Sequence, residues 1–223
     1  MLNKLRAFIG HNKYEILVVS FLLLIFGDTP RSMTFSILFL PLQNMLVAVV
    51  VFFDQKKMRY AITGMIGLTL AISLFNCCYF TRVGSGAILV IYFLYFMLIS
   101  VKVYQKIFTT RRVSAEMMAT VLCGFILLCL AGAILFITIE VNIPHSYSNI
   151  GLGPVRFSNL SYFSFTTLLT IGYGDIVPLT LTAKRSVMLM GITGHIYTVF
   201  LTGIIIGKYI QAGTKQHYTV EIQ

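Results

Sequence analysis

The sequence predicts an all-α integral membrane protein with six membrane-spanning helices, and composition and hydropathy pattern carry that prediction. Of the 223 residues, 57% are hydrophobic and only 11% are charged, whereas a soluble domain carries about 25% charged residues. Several apolar runs reach the length of about 20 residues that a spanning helix needs. Basic residues lie in short groups between these runs, where membrane proteins place their topological anchors.

Each long apolar run predicts one span. Five runs are long enough on their own, and they cover residues 33–53, 60–80, 83–101, 117–139 and 187–207. Ahead of them, residues 16–27 form a shorter run, which is either a short span or an interfacial helix. Length alone does not choose between these two interpretations.

The distribution of basic residues favours six spans with both termini in the cytoplasm. In that topology only five of the 17 basic residues lie outside, namely Arg31, Arg82, Arg156, Lys184 and Arg185. This bias fits the positive-inside rule. We therefore predict a multi-pass protein of a plasma membrane, prokaryotic because the chain is compact and lacks sorting signals. Its net charge of +10 is expected to anchor it in the lipid bilayer and not to bind nucleic acid.

The sequence offers little support for chemistry other than transport. The cysteines lie in or at the end of apolar runs, without a Cys-x-x-Cys pair, and they are Cys77, Cys78, Cys123 and Cys129. We expect small apolar side chains there, and neither disulfides nor metal ligands. No predicted span carries a carboxylate or a nucleophile–base pair, which argues against an enzyme and against a cofactor. An ion-coupled transporter would need charged or interrupted helices in the first half.

The segment between the last two spans has a composition of its own. Residues 140–156 contain several Asn, Gly and Pro residues, which predicts a loop. Residues 157–169 are apolar but too short to cross the membrane, which indicates a re-entrant helix. The next six residues are Thr-Ile-Gly-Tyr-Gly-Asp, at positions 170–175. Their glycines allow backbone angles at which successive carbonyls point the same way, as a site that replaces the water shell of a cation requires.

This hexapeptide resembles the filter of the potassium channel superfamily, which reads Thr-Val/Ile-Gly-Tyr-Gly followed by Asp. The resemblance implies a selectivity filter whose backbone carbonyls, with one hydroxyl at the first position, bind K⁺ as the permeant ligand. The filter residues are then Thr170, Ile171, Gly172, Tyr173 and Gly174, the first four of which would coordinate K⁺. One chain supplies one strand of such a filter, so the resemblance also implies a homotetrameric pore with three further copies of the chain.

The resemblance directs attention to residues that support the filter. Pore helices of the family often carry a Trp that braces the Asp after the filter, and this chain has no Trp. Tyr162 is able to donate a hydrogen bond to Asp175, whereas Phe163 is not. The position before Thr170 holds Leu where the family often has Thr, so we expect filter stability to depart from the family pattern more than selectivity does. The expected supporting residues are Asp175, Tyr162, Thr166 and Thr167.

The last span contains candidates for the cavity below the filter and for a gate. They are Gly194, His195, Thr198, Thr202 and Ile206. The resemblance to potassium channels implies that Gly194 is a hinge that bends the inner helix, and the alternative is helix packing through small residues. His195 is either protonated in a wet cavity, where it would repel potassium, or neutral and bonded to a nearby carbonyl or hydroxyl.

Two domains and a tail follow from this organisation. Residues 1–112 form a four-helix domain that resembles a voltage sensor but lacks its charges, since residues 83–101 contain no Arg or Lys. Residues 113–210 form the pore domain, and residues 211–223 a short cytoplasmic tail. We predict a potassium-selective channel subunit for passive permeation with little or no intrinsic voltage dependence. The alternatives are a silent or regulatory subunit and a non-selective cation channel.

Overall fold

A computed structural model of the protein describes residues 12–27, 40–79, 83–110, 114–152 and 155–220. For residues 40–41, 76–79, 83–85 and 209–220 it describes the backbone alone. The side chains of Cys77 and Cys78 therefore lie outside the described part. So do several of the basic residues that set the predicted topology, namely Lys4, Arg6, Arg31, Arg82, Arg111 and Arg112.

Within the described ranges the chain forms seven helices. They are α1 (Lys13–Phe26), α2 (Leu40–Val51), α3 (Lys56–Tyr79), α4 (Val83–Thr109), α5 (Ala115–Asn142), α6 (Val155–Leu168) and α7 (Leu181–Val220). Extended pairing is limited there to one isolated antiparallel bridge between Tyr147 and Pro178. The prediction of an all-α class is confirmed for these residues.

Four of these helices are long and apolar enough to cross a membrane. The candidate spans are Lys56–Phe75, Gly86–Thr109, Ala115–Asn142 and Leu181–Lys208, and they coincide with the third to sixth predicted spans. Helix α1 has 14 residues and α2 has 12, which is short of the about 20 residues that a span needs. Residues 28–39, which include the start of the second predicted span, are not described. The count of six spans therefore stays a prediction.

Helix α5 is the central element of the described fold. It contacts α1 and α4 from the first half of the chain, and α6 and α7 from the second half. In the most apolar stretch of α5, 61% of the residues are buried, whereas in that of α7 only 11% are buried. Apolar side chains from α1, α2, α4 and α5 share one core, which includes Leu17, Met45, Ile99 and Leu127. The first half of the chain therefore packs against α5 through α1 and α4. Most of the surface of α7 is exposed in the single chain.

The end of α4 and the start of α5 interact through a helix cap and a salt bridge. The Ser114 hydroxyl accepts a hydrogen bond from the backbone N–H of Met117 at 3.3 Å, which caps the start of α5. Glu116 lies in the first turn of α5, where the helix dipole favours a negative charge. Lys106, in the last turn of α4, forms a salt bridge with Glu116 at 2.8 Å. The end of α4 and the start of α5 are thus held together by a salt bridge, and the start of α5 is capped.

A buried hydrogen-bond network joins three helices of the first half. The Asn44 side chain on α2 donates to the Ser20 hydroxyl on α1 at 3.0 Å, and the Tyr95 hydroxyl on α4 donates to the Asn44 side-chain oxygen at 2.6 Å. Neutral polar side chains of this kind hold membrane helices together. The side chains that are both buried and polar in the described part of residues 12–110 are Ser20, Asn44, Thr69 and Ser100, all uncharged. The buried hydrogen bonds between these helices thus join neutral groups.

The replacement Tyr95→Phe tests this network. It leaves the Asn44 oxygen without its donor in an apolar interior, so we expect the free energy of unfolding to fall by about 1 kcal/mol, the size found for such bonds between membrane helices. Unfolding of the detergent-solubilised protein by heat or SDS measures the change. Tyr92→Phe, on the same helix, is the matched control, because the buried Tyr92 hydroxyl has no hydrogen-bond partner among the described residues. Equal effects of the two replacements would contradict the network.

Candidate functional site

The segment predicted to be a re-entrant helix, residues 157–169, forms α6, Val155–Leu168, which begins two residues before the predicted range. It lies between α5 and α7 and contacts both. The Ser164 hydroxyl donates a hydrogen bond to the Cys129 carbonyl of α5 at 2.7 Å. Gly132 of α5 faces the same hydroxyl, and a methyl group at Gly132 would overlap the Ser164 oxygen. The missing side chain at position 132 therefore lets α6 approach the α5 backbone closely.

An aromatic cluster lies between α5, α6 and the loop that follows α5. The rings of Phe136, Tyr147 and Phe163 lie with centroids 5.3 to 5.8 Å apart, which is the range of favourable aromatic pairs. The Tyr147 hydroxyl also bonds the Ser186 hydroxyl of α7 at 3.1 Å. Burial raises the pKa of Tyr147 to about 12, so its hydroxyl stays protonated at neutral pH. The cluster joins α5, α6 and α7 through one loop residue.

Glu140 organises the loop that leads into this cluster, a role that the sequence alone does not predict. Its side chain is 5% exposed, and its carboxylate accepts backbone hydrogen bonds from His145 at 3.1 Å, Ser146 at 2.9 Å and Tyr147 at 3.2 Å. Three donors compensate a buried carboxylate for its lost hydration. The signal for this role was a single acidic residue at the end of a long apolar run, followed by turn residues.

Helix α6 ends in a Schellman motif that leads directly into the predicted filter. The Ile171 N–H donates to the Thr166 carbonyl at 2.8 Å, and the Thr170 N–H donates to the Thr167 carbonyl at 3.1 Å. These are the two bonds that define the motif. Thr170 has φ of 57°, so it holds the left-handed position that glycine usually occupies. A β-branched residue in this conformation is a true outlier.

The left-handed conformation recurs at every second residue of the segment. Thr170 has φ of 57°, Gly172 of 59° and Gly174 of 79°, whereas Ile171 and Tyr173 between them do not have positive φ. In a regular strand successive carbonyls point to opposite sides, and alternation of handedness is what turns them to one side. A methyl group at Gly172 or Gly174 would meet no neighbouring atom within 4 Å. The glycines are therefore needed for backbone conformation and not for space.

The chain leaving this segment pairs with the loop after α5. The Val177 N–H donates to the Ser148 hydroxyl at 2.9 Å, and the Ser148 N–H donates to the Val177 carbonyl at 3.0 Å. The Asn149 side chain donates to the Asp175 backbone carbonyl at 2.8 Å. Both ends of residues 170–175 are thus held by hydrogen bonds, one to α6 and the other to this loop.

Two tyrosines and Asp175 come together beside the predicted filter. The rings of Tyr162 and Tyr173 stack with centroids 6.5 Å apart and planes at 4°. A hydrogen bond to Asp175 raises the pKa of the Tyr162 hydroxyl above its usual value, because only the protonated hydroxyl is able to donate that bond. Phe163 faces the aromatic cluster instead. The Thr166 hydroxyl donates to the Phe163 carbonyl at 3.1 Å, within α6.

The residues predicted for the cavity and gate all lie on α7, which runs without interruption from Leu181 to Val220. His195, Thr198, Thr202 and Ile206 are exposed in the single chain. The Thr198 hydroxyl donates to the Gly194 carbonyl at 3.0 Å, and the Thr202 hydroxyl to the Thr198 carbonyl at 2.8 Å. These hydroxyls are therefore satisfied within the helix. Whether these side chains line a cavity stays a prediction.

Gly194 is the point where α7 meets the end of α6. It is buried, and a Cβ atom there would lie 3.0 Å from Leu168 Cγ and 3.1 Å from Leu168 Cα. Because one of these atoms belongs to the backbone, a rotation of the Leu168 side chain could not relieve the contact. The close-packing interpretation of Gly194 has a direct contact behind it, while the hinge interpretation stays a prediction.

Comparison with known proteins adds one finding at this point. Residues 122–211 match the model of a protein family described as "Ion channel". The matched range contains α6, the segment 170–175 and most of α5, and it covers less than half of the chain. The match supports an ion channel, and it points away from an enzyme, because a channel passes ions without a chemical reaction. No curated protein and no solved structure matches the chain.

The replacement Gly194→Ala tests the contact between α6 and α7. We expect it to lower the stability of the solubilised protein by about 1–3 kcal/mol, as overpacking of a tight contact does. Gly191→Ala, about one turn earlier on α7, is the matched control, since a methyl group there meets nothing within 4 Å. Thermal melting in detergent compares the two variants. Equal melting temperatures would show that Gly194 is not a packing constraint.

Proposed function

We propose that this protein is a subunit of a potassium-selective channel, through which K⁺ permeates passively across a membrane. The observation that carries the proposal is the alternation of left-handed residues at positions 170, 172 and 174, directly after a helix too short to span. This conformation suits a row of backbone carbonyls that replace the water shell of K⁺. The family match over residues 122–211 supports a channel at the same place.

The left-handed conformation of Thr170 is strained, and the proposal offers a reason for that strain. A non-glycine residue in the left-handed region costs about 1–3 kcal/mol, and such strain is found mainly at functional sites. Glycine would hold the same position in the Schellman motif without that cost. A threonine here supplies a hydroxyl oxygen at the inner end of the carbonyl row. We therefore assign the Thr170 hydroxyl, with the carbonyls of Thr170, Ile171, Gly172 and Tyr173, to K⁺ coordination.

A homotetramer is part of the proposal. Ile171 is 47% exposed and Tyr173 is 70% exposed in the single chain. Non-helical backbone at membrane depth is tolerated only where protein buries it or where it lines a water-filled cavity. One strand also cannot surround an ion. Four copies about one axis would cover these side chains and close a ring of oxygens at each level, and closed cyclic symmetry is the usual form of such assemblies.

We further propose that the channel has little or no intrinsic voltage dependence and that both its termini are cytoplasmic. Voltage sensing requires charges that move within the membrane field. The buried polar residues described in the first half are uncharged, which supports a scaffold without gating charges. The orientation rests on the excess of Lys and Arg in the segments assigned to the inside, and the compact chain favours a prokaryotic plasma membrane.

Ion flux from liposomes tests the central proposal. The protein is reconstituted in vesicles loaded with K⁺ and diluted into Na⁺, and we expect K⁺-selective efflux. Gly172→Asp should abolish it, because a side chain is strained at φ of 59° and the added carboxylate would place a negative charge beside the carbonyl row. Gly67→Ala on α3 should leave flux unchanged, because a methyl group there meets nothing within 4 Å. Equal passage of K⁺ and Na⁺ would indicate a non-selective pore, and no flux at any voltage or pH would favour a silent subunit.

The replacement Thr170→Gly separates the function of the filter from its stability. It removes the left-handed strain, so we expect the melting temperature to rise while K⁺ selectivity falls, because the lowest ring of oxygens is lost. Thr170→Ser is the matched control, since it keeps the hydroxyl, and it should keep selectivity. Melting in detergent and the K⁺ to Na⁺ flux ratio are measured on the same preparations. A Gly variant that keeps wild-type selectivity would show that the hydroxyl is not a ligand.

A further inference from the structure

An apolar groove lies between α4, α5 and α7. It has a volume of 440 Å³, which lies within the range of about 300–1,000 Å³ typical of small-molecule pockets. We call it the α4–α7 groove, and its lining includes Tyr104, Phe108, Leu128, Tyr197, Phe200 and Ile204. The lining contains no residue of the predicted filter, so the proposed ion pathway does not account for this groove.

Three of the four hydroxyl-bearing side chains that line the groove donate to helix carbonyls. The Tyr104 hydroxyl donates to the Gly124 carbonyl at 3.3 Å, and the Tyr197 hydroxyl donates to the Val121 carbonyl at 2.7 Å. The Thr193 hydroxyl donates to the Leu189 carbonyl of its own helix at 2.7 Å. These side chains therefore offer mainly carbon to an occupant, and that occupant must itself be apolar.

One end of the groove carries a positive charge. Lys208 follows Ile204 by about one turn of α7, and its ammonium group donates to the Ile107 carbonyl at the end of α4, at 2.8 Å. Ile107 itself lines the groove, so Lys208 links α7 to α4 at the mouth. An ammonium group has three N–H donors, and one of them makes this bond. Its other two N–H donors have no hydrogen-bond partner among the described side chains, so within that part of the chain they can bind an anionic group at this end of the groove.

The dimensions of the groove match one leaflet of a bilayer. Its lining on α7 extends from Thr193 to Ile204, which corresponds to about 16 Å at 1.5 Å per residue. Half of a hydrocarbon core of about 30 Å is about 15 Å. The groove also lies on the face of α7 opposite to the predicted cavity residues His195, Thr198, Thr202 and Ile206, given 3.6 residues per turn. It therefore faces the surrounding lipid and not the predicted pore.

We infer that the α4–α7 groove is a binding site for an anionic phospholipid, whose acyl chain fills the groove and whose phosphate is bound by Lys208. An apolar tail one leaflet long with a negative group at its end is the ligand that fits this combination of lining, length and charge. Binding there joins α4 to α7, so the lipid stabilises the contact between the first four helices and the last one. The inference needs only the membrane setting, and it does not depend on potassium selectivity.

Tryptophan fluorescence offers a direct test, because the chain contains no Trp. Phe200→Trp places a single fluorophore in the groove, and Ile204→Trp is a second reporter if the first variant does not assemble. Val19→Trp is the control, because Val19 is exposed on α1 and lies outside the groove. The full-length protein is reconstituted in vesicles that contain brominated phosphatidylglycerol or brominated phosphatidylcholine, whose bromine quenches nearby Trp.

We expect the groove reporters to prefer the anionic lipid by about 5-fold, the effect of one lysine near an anionic headgroup. Val19→Trp should show no preference. Adding Lys208→Gln should remove the preference, Lys208→Arg should keep it, and Lys102→Gln on α4 should leave it unchanged. Equal quenching by both lipids would overturn the inference in favour of ordinary bilayer contact. No quenching by either lipid would show that a neighbouring copy of the chain covers the groove, and an unchanged preference in Lys208→Gln would overturn the role of Lys208.

Discussion

The carbonyl oxygen of Thr166 determines where helix α6 stops and the extended segment begins. It accepts the N–H of Ile171 at 2.8 Å and that of Gly172 at 3.2 Å, so two successive residues are held against the last turns of the helix. These two hydrogen bonds to one carbonyl require Thr170 to adopt the left-handed conformation. Once Thr170 is left-handed, glycines at alternate positions continue the same backbone alternation to Gly174. The geometry of the candidate site thus follows from how one short helix is terminated.

The position of that helix end depends in turn on α5. Ser164 bonds the α5 backbone at Cys129, and Glu140 at the end of α5 fixes the loop that pairs with the outgoing chain. The opposite side of α5 packs against α1 and α4. A change in how the first four helices sit on α5 would therefore reach the candidate filter through its scaffold. This is a mechanical route that requires no charged residue inside the membrane.

Much of the fold and the centre of the candidate site could be predicted from the sequence. Span length, glycine spacing and the interruption at residues 157–169 are local properties, and each appears in the residues themselves. The roles of Glu140, Ser164 and Gly194 could not be predicted, because each depends on which atoms another helix brings close. Close packing against Leu168 and a flexible hinge both require a glycine at position 194, so the sequence alone does not choose between them. The pairing of Tyr162 with Asp175, by contrast, was predicted from the sequence, because it needs only a hydroxyl in the helix and the acidic residue after the glycines.

The open side of residues 170–174, where Ile171 is 47% exposed and Tyr173 is 70% exposed, explains why a single chain is an incomplete unit in this account. These side chains would be covered, and every ring of oxygens closed, only around a symmetry axis.

Diffraction from crystals grown in thallium, which mimics K⁺ and scatters anomalously, tests this claim most directly. We expect a row of anomalous peaks on a fourfold axis, at the heights of the carbonyls of Thr170, Ile171, Gly172 and Tyr173. Thallium found elsewhere, or an assembly without a fourfold axis beside these residues, would contradict the account.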